Sequence, residues 1–283
     1  GSRGFIGRGE VSRHGSPAGN PLEWSASVST AGRHLTDQTT EARVALITGG
    51  AARIGAEIGR HLHAAGLDIA IHYRNSAAPA AALAESLNAR RQNSAFVVQG
   101  DLLDTETPRK LISAIERERG RLDVLVNNAS TFYPTPLGSI DDAQWNDLMG
   151  SNAKAPLLLA QAAAPLLRSA RGAIVNLVDI HALRPKKDYV VYSMAKAANA
   201  MMVKSLAREL GPEIRVNGVA PGIIFWPEHE LGEADKAEML GRTVLQRPGK
   251  AADIARTVRF LVLEADYITG QIIPVDGGRT VQQ

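Results

Sequence analysis

Between Arg43 and Val275 the chain alternates short, almost wholly apolar runs with longer stretches of helical periodicity. No other feature constrains the fold as much. The apolar runs are VALIT (44–48), DIAIHY (68–73), AFVVQ (95–99), LDVLVNN (122–128), AIVNLV (173–178), IRVNGVA (214–220) and QIIPV (271–275). A strand apolar at nearly every position, not at every second one, is buried on both faces, as in a parallel sheet with helices on each side. Helices are expected over 53–65, 77–91, 105–119, 141–168, from the segment holding Tyr192 and Lys196 to about Leu210, and over 251–264.

Right-handed crossovers between such strands give an α/β, doubly wound Rossmann-type domain with a seven-stranded parallel sheet. No internal repeat and no composition shift divides residues 42–283, so they read as one domain. Residues 1–41 are rich in Gly, Ser and Arg without an apolar period and read as a disordered tail. Glu10, Glu23 and Asp37 weigh against a transit peptide, and the segment lacks the apolar core of a secretory signal.

Composition excludes several chemistries. The 283 residues contain no cysteine, which rules out disulfides, thiolate nucleophiles and Cys-ligated zinc and fits a reducing, cytoplasmic setting. His61 and His63 diverge on a helix, so no metal is expected. Lys and Arg are scattered and net charge is only +3, so no nucleic-acid partner is expected. The longest apolar stretch, Ala155 to Leu167, is broken by Pro156, Gln161 and Pro165, which argues against a membrane span.

The first strand runs into TGGAARIG (48–55), which opens a helix. Gly49 and Gly50 permit a tight turn and close backbone approach, Gly55 permits close helix–strand packing, and the helix start offers N–H groups to a pyrophosphate. Gly49, Arg53 and Ile54 are the expected contacts. The tip of the second strand, where a ribose selector is expected, reads His72-Tyr73-Arg74-Asn75-Ser76 and has no acidic residue. A cation and donors there suit a 2′-phosphate, so NADPH is expected over NADH; a solvated basic strand end is the alternative. Asp101-Leu102 is placed to meet an adenine amino group, and Asn128-Ala129-Ser130 ends the fourth strand near the same crevice.

The segment DIHALRPKKDYVVYSMAK (179–196) places Tyr192 and Lys196 four residues apart, on one helical face. An ammonium beside a phenol favours phenolate and lowers the phenol pKa, making Tyr192 a usable acid–base group. A solvated helix face can carry the same pair. Asp179, at the end of the fifth strand, is a candidate third member or simply a turn cap.

Together, TGGAARIG, GDL (100–102), NNAS (127–130), Asn152, YSMAK (192–196) and Pro221-Gly222 resemble the short-chain dehydrogenases/reductases. The family's common glycine turn has Gly where this chain has Arg53, and its usual catalytic Ser position holds Asp179. With HYRNSAA (72–78) and NNASTFYPTPL (127–137), these departures resemble the pteridine reductases. The resemblance implies NADPH-dependent reduction of pterins, and of dihydrofolate in addition, by a homotetramer. Asp179, Tyr192, Lys196 and Asn152 would be catalytic, Lys196 binding the ribose and Asn152 helping to reload protons. Arg53, Ser130, Phe132, Asp179 and Tyr192 would face substrate, with Phe132 as the stacking surface. Pro221 and Gly222 would join the cofactor contacts.

An ionised Asp179 opposes phenolate formation at Tyr192, so the expectation is that Asp179 supplies protons through Tyr192 and that reduction is fastest at mildly acidic pH. Residues 222–248 read as a substrate loop with a short lid helix, in which Trp226 either closes over the substrate or packs. His181 reads as a turn cap more than a substrate contact, and Met194, Met201 and Met202 as core or subunit-interface residues. The alternatives are another short-chain reductase, such as one acting on a 3-oxoacyl thioester, or a non-catalytic NADP(H)-binding sensor.

Overall fold

The computed structural model describes residues 42–226 and 232–282. The expected tail over 1–41 and residues 227–231 of the expected substrate loop lie outside the described residues. Seven strands form one sheet: β1 (Val44–Ile47), β2 (Asp68–Tyr73), β3 (Ala95–Gln99), β4 (Val124–Asn127), β5 (Ala173–Leu177), β6 (Arg215–Pro221) and β7 (Ile272–Val275). Their order across the sheet is β3-β2-β1-β4-β5-β6-β7, and every pairing is parallel. This is the doubly wound order, with its switch point between β1 and β4.

The strands need no polar face because alternate residues point to opposite sides and both sides are covered. Ala45 and Ile47, with Ile69, Ile71, Val124 and Val126, pack into the layer containing α1 (Arg53–Ala64), α2 (Ala77–Asn88) and α8 (Ala251–Leu263). Val44 and Leu46, with Ala70, Leu125 and Ile174, pack into the layer containing α3 (Thr107–Arg119) and α5 (Ala155–Ala170). Leu46 and Ile58 are fully buried, and truncating either to alanine would cost about 2–5 kcal/mol.

One expected element is broken. The single helix anticipated over 141–168 is α4 (Asp142–Met149), a π-helical turn (Gly150–Lys154) and then α5. Asp141 and Gln144 form a reciprocal capping box that starts α4. At the break, Pro156 lies four residues beyond Asn152 and has no N–H to donate to its carbonyl. The amide of Ala155 reaches back instead to Gly150 O, across five residues.

The remaining helices are α6 (Val190–Leu210), which carries Tyr192 and Lys196, and α7 (Glu233–Gly241), within the expected substrate loop. A 3₁₀ turn (Ile180–Ala182) joins β5 to the approach of α6. Among the described residues no helix is long and apolar enough to cross a membrane.

Candidate active site

The turn after β1 is fastened from two sides. Thr48 Oγ1 accepts the amides of Asn128 (2.9 Å) and Ala129 (3.0 Å). Asn128 Nδ2 donates to the carbonyls of Thr48 (2.9 Å) and Gly49 (3.1 Å). Gly49 has φ +59, and a Cβ on Gly55 would lie 2.4 Å from Gly49 O, so both positions require glycine. His72, expected only as part of the strand-tip selector, secures the other side. Its Nδ1 accepts the Gly49 amide (3.2 Å), and its Nε2 therefore carries the hydrogen that meets Gly100 O (3.0 Å). Burial lowers the His72 pKa and keeps the ring neutral.

Arg53, at the start of α1, has φ +51, the left-handed region. That explains why glycine suits this position, and an arginine there carries about 1–2 kcal/mol of strain. Its guanidinium lies 4.7 Å from the centre of the Phe225 ring. The first turn of α1 contains no acidic residue to oppose an anion. Arg74, Asn75 and Ser76 are exposed just beyond β2. Asp101 Oδ1 accepts the Leu103 amide at 3.0 Å. At the end of β6 the Gly222 amide donates to Val275 O, and a Cβ there would lie 2.6 Å from Asp276 Cα. The carboxylate-free start of α1 fits a dinucleotide pyrophosphate.

Across the switch point, the phenol of Tyr192 donates to Asp179 Oδ2 at 2.7 Å. Asp179 Oδ1 accepts the His181 amide at 2.8 Å. Asp179 is thus both a turn cap and the partner of Tyr192. Burial, and then the Asp179 carboxylate, push the Tyr192 pKa well above its ordinary value; the neighbouring Ser130 hydroxyl acts in the opposite sense. Lys196 donates to Leu177 O at 2.9 Å, and complete burial lowers its pKa to about 8, against the influence of Asp179. The expected lowering of the phenol pKa by Lys196 is therefore corrected: here Tyr192 is held as a neutral phenol, because desolvation and Asp179 prevail.

Asn152 lies buried in the π turn. Its Nδ2 donates to Thr131 O and Leu148 O, each at 3.0 Å, and its Oδ1 accepts the Ser130 hydroxyl at 2.6 Å. Behind it runs a chain of buried amides: Asn127 to Asn176, Asn176 to Asn199, and Asn199 to the carbonyl of Asn152.

Phe132 is half-exposed beside Tyr192, whose ring it meets edge-on at 4.8 Å. It stacks on Tyr189 at 4.6 Å, and the ammonium of Lys186 lies 4.9 Å and 4.1 Å from the centres of the two rings. Burial lowers the Lys186 pKa, with Asp179 acting the other way. The NASTFYPTPL segment is held against α6 by the Thr135–Tyr189 bridge and by donation from the Thr135 amide to Asp188 O.

Asp179, Tyr192, Lys196, Asn152, Ser130 and Phe132 thus share one hydrogen-bonded and aromatic neighbourhood. Trp226, within the expected substrate loop, is half-buried. The His181 Nδ1 contacts Arg184 O (2.9 Å), consistent with a turn role. Met194 and Met201 are exposed, which removes them from the core. Asn199, Lys186, Tyr189 and Phe225 join this neighbourhood without having been singled out from the sequence, and His72, read there as part of the strand tip, holds the glycine turn instead.

Residues 49–280 match the family described as enoyl-(acyl carrier protein) reductase. Pteridine reductase 1 of Leishmania tarentolae is 39% identical over 277 residues, covering 84% of this chain and 96% of that protein. A 3-oxoacyl-[acyl-carrier-protein] reductase of Staphylococcus aureus is 36% identical over 238 residues, covering 83% of this chain and 96% of that protein.

Proposed function

The chain belongs to the short-chain dehydrogenase/reductase superfamily, and within it we propose that it reduces pterins, and dihydrofolate in addition, at the expense of NADPH. The observation that carries this reading is the 2.7 Å hydrogen bond from Tyr192 to a carboxylate, beside the half-exposed ring of Phe132. A pterin is flat and edged with N–H donors and ring nitrogens. A carboxylate and an aromatic surface match it better than they match an aliphatic ketone.

In this reading the turn residues Gly49, Arg53 and Ile54 hold the pyrophosphate, and Arg74, Asn75 and Ser76, with Tyr73, hold the 2′-phosphate end. Asp101 and Leu102 meet the adenine, and Asn128, Ala129, Ser130, Pro221 and Gly222 line the nicotinamide end. The reduced nicotinamide supplies hydride when bound. Tyr192 gives its phenolic proton to the substrate nitrogen, and Asp179, its hydrogen-bond partner, takes up a proton from solvent and passes it to the phenolate. Lys196 orients the ribose. Asn152 holds Ser130 next to Tyr192. Phe132, Arg53, Ser130 and Trp226 contact the substrate. The exposed apolar residues Leu157 of α5 and Met194 and Met201 of α6 support a homotetramer in which these helices pair between subunits.

The test is NADPH oxidation with biopterin, dihydrobiopterin, dihydromonapterin, dihydrofolate and a 3-oxoacyl thioester side by side. Turnover of the pterins is expected. Turnover of the thioester alone would overturn the pterin assignment in favour of the chemistry of the Staphylococcus relative, and NADPH binding without any turnover would favour a sensor.

A further inference from the structure

We infer that Asn199 is a positioning residue for proton delivery: its carboxamide replaces the main-chain donor that Pro156 lacks and so fixes Asn152 and Ser130 beside Tyr192. In an uninterrupted α-helix the carbonyl of Asn152 would accept from the amide of residue 156. Pro156 has none. The carbonyl is fully buried with Asn152, and leaving it unpaired would be costly. Asn199 Nδ2 donates to it at 2.8 Å.

The orientation of the Asn199 amide is fixed from behind. Asn199 Oδ1 accepts from Asn176 Nδ2 at 2.9 Å, and Asn176 Oδ1 accepts from Asn127 Nδ2 at 2.9 Å. A flipped Asn199 would set an amide against an amide and an oxygen against a carbonyl. The chain of donors therefore points one way, from β4 through β5 and α6 to the π turn. At its far end the Asn152 side chain uses both Nδ2 hydrogens on Thr131 O and Leu148 O, which leaves Oδ1 directed at the Ser130 hydroxyl, 2.6 Å away. Asn199 lies on α6 three residues beyond Lys196, so one helix carries Tyr192, Lys196 and the group that orients the facing turn. Among the described residues no other side-chain hydrogen bond ties the Asn152 carbonyl to α6.

This rests on the reading of Tyr192 as the proton donor but not on the identity of the substrate. The test uses Asn199→Leu, which removes both polar ends at similar volume. With whichever substrate turns over, kcat should fall roughly 10- to 100-fold, with KM and the NADPH Kd within about twofold. In a Ser130→Ala background the same change should add less than about twofold, because the residue acts through Ser130. Pro156→Ala, which restores a main-chain N–H four residues beyond Asn152, should recover part of kcat in the Asn199→Leu protein. Independently of turnover, amide hydrogen exchange over 150–154 should rise in Asn199→Leu and fall again in the double variant. Asn199→Ser replaces Asn199→Leu should the latter not fold. Wild-type kcat, an undiminished loss in the Ser130→Ala background, or unchanged exchange over 150–154 would each overturn the inference. Full turnover by Tyr192→Phe would overturn it together with the proton-donor reading, whereas a thioester preference would leave it standing.

Discussion

The hydroxyl of Tyr192 donates to Asp179 Oδ2 across 2.7 Å, while the other oxygen of that carboxylate is held by the His181 amide. The pairing fixes the phenol in its protonated form, the form a reductase needs before it gives up a proton. Tyr192→Phe should lower kcat by about 10²- to 10⁴-fold with NADPH binding retained, the span typical for loss of a general acid. If Asp179 replenishes the proton, the wild-type rate should rise towards mildly acidic pH, and Asp179→Ser should be slower with a flatter profile. A pH–rate series on both proteins decides this; a flat wild-type profile that Asp179→Ser leaves flat would end the proton-supply role.

His72 joins the glycine turn to the end of β3 through one accepted and one donated hydrogen bond. Protonation would destroy the acceptor that holds the Gly49 amide. Because burial lowers its folded pKa, His72 contributes stability that is present above the ordinary histidine pKa and is lost as pH falls through the folded value. His72→Phe should weaken NADPH binding by roughly tenfold, the equivalent of about 1.4 kcal/mol from a disordered turn. It should also flatten the loss of stability on the acid side of pH 6.5. Fluorescence titration with NADPH and melting curves from pH 5 to 8 measure both, and unchanged affinity would remove His72 from the cofactor turn.

The strands were legible because burial on both faces demands apolar residues at every position, and Val44–Ile47 or Ala173–Leu177 show nothing else but Asn176. The break over 150–154 was not legible as a break, because proline is tolerated in the first turn of a helix and Pro156 read simply as part of one. It could have been found by asking which donor serves Asn152. The Tyr192–Asp179 and Tyr192–Lys196 relationships were visible through spacing and resemblance. Those of His72 and Asn199 were not, since their partners lie 23 and 47 residues away and a lone polar residue in an apolar run carries no periodic signal. The sign of the Tyr192 shift needed the structure as well, because burial outweighs any sequence rule about a neighbouring lysine.

Arg53 separates strain from binding. Its φ of +51 costs stability that glycine would recover, while its guanidinium is proposed to serve cofactor and substrate. Arg53→Gly should therefore be no less stable than the wild type, gaining up to about 1 kcal/mol, yet should bind NADPH several-fold more weakly. Urea denaturation and NADPH titration on one preparation test this. A variant that loses stability and keeps its NADPH affinity would contradict both halves.

Lys196 makes the opposite trade visible through pH. Its folded pKa is about 8 against an ordinary 10.5, so holding it charged in the interior is a cost to the fold, on the order of 3 kcal/mol. Below about pH 8 both folded and unfolded states are protonated and the cost is complete. As pH rises from about 8 towards 10.5 the folded state alone releases its proton, and the cost fades. Lys196→Met removes the charge, though it also strands Leu177 O, which offsets about 1 kcal/mol. The variant should consequently be inactive yet more stable than the wild type at pH 7, with the difference closing as pH approaches 10. Denaturant melts at pH 7 and pH 9.5 provide the measurement. A variant less stable at pH 7 would mean that the ammonium contributes to the fold more through its bond to the end of β5 than burial takes away.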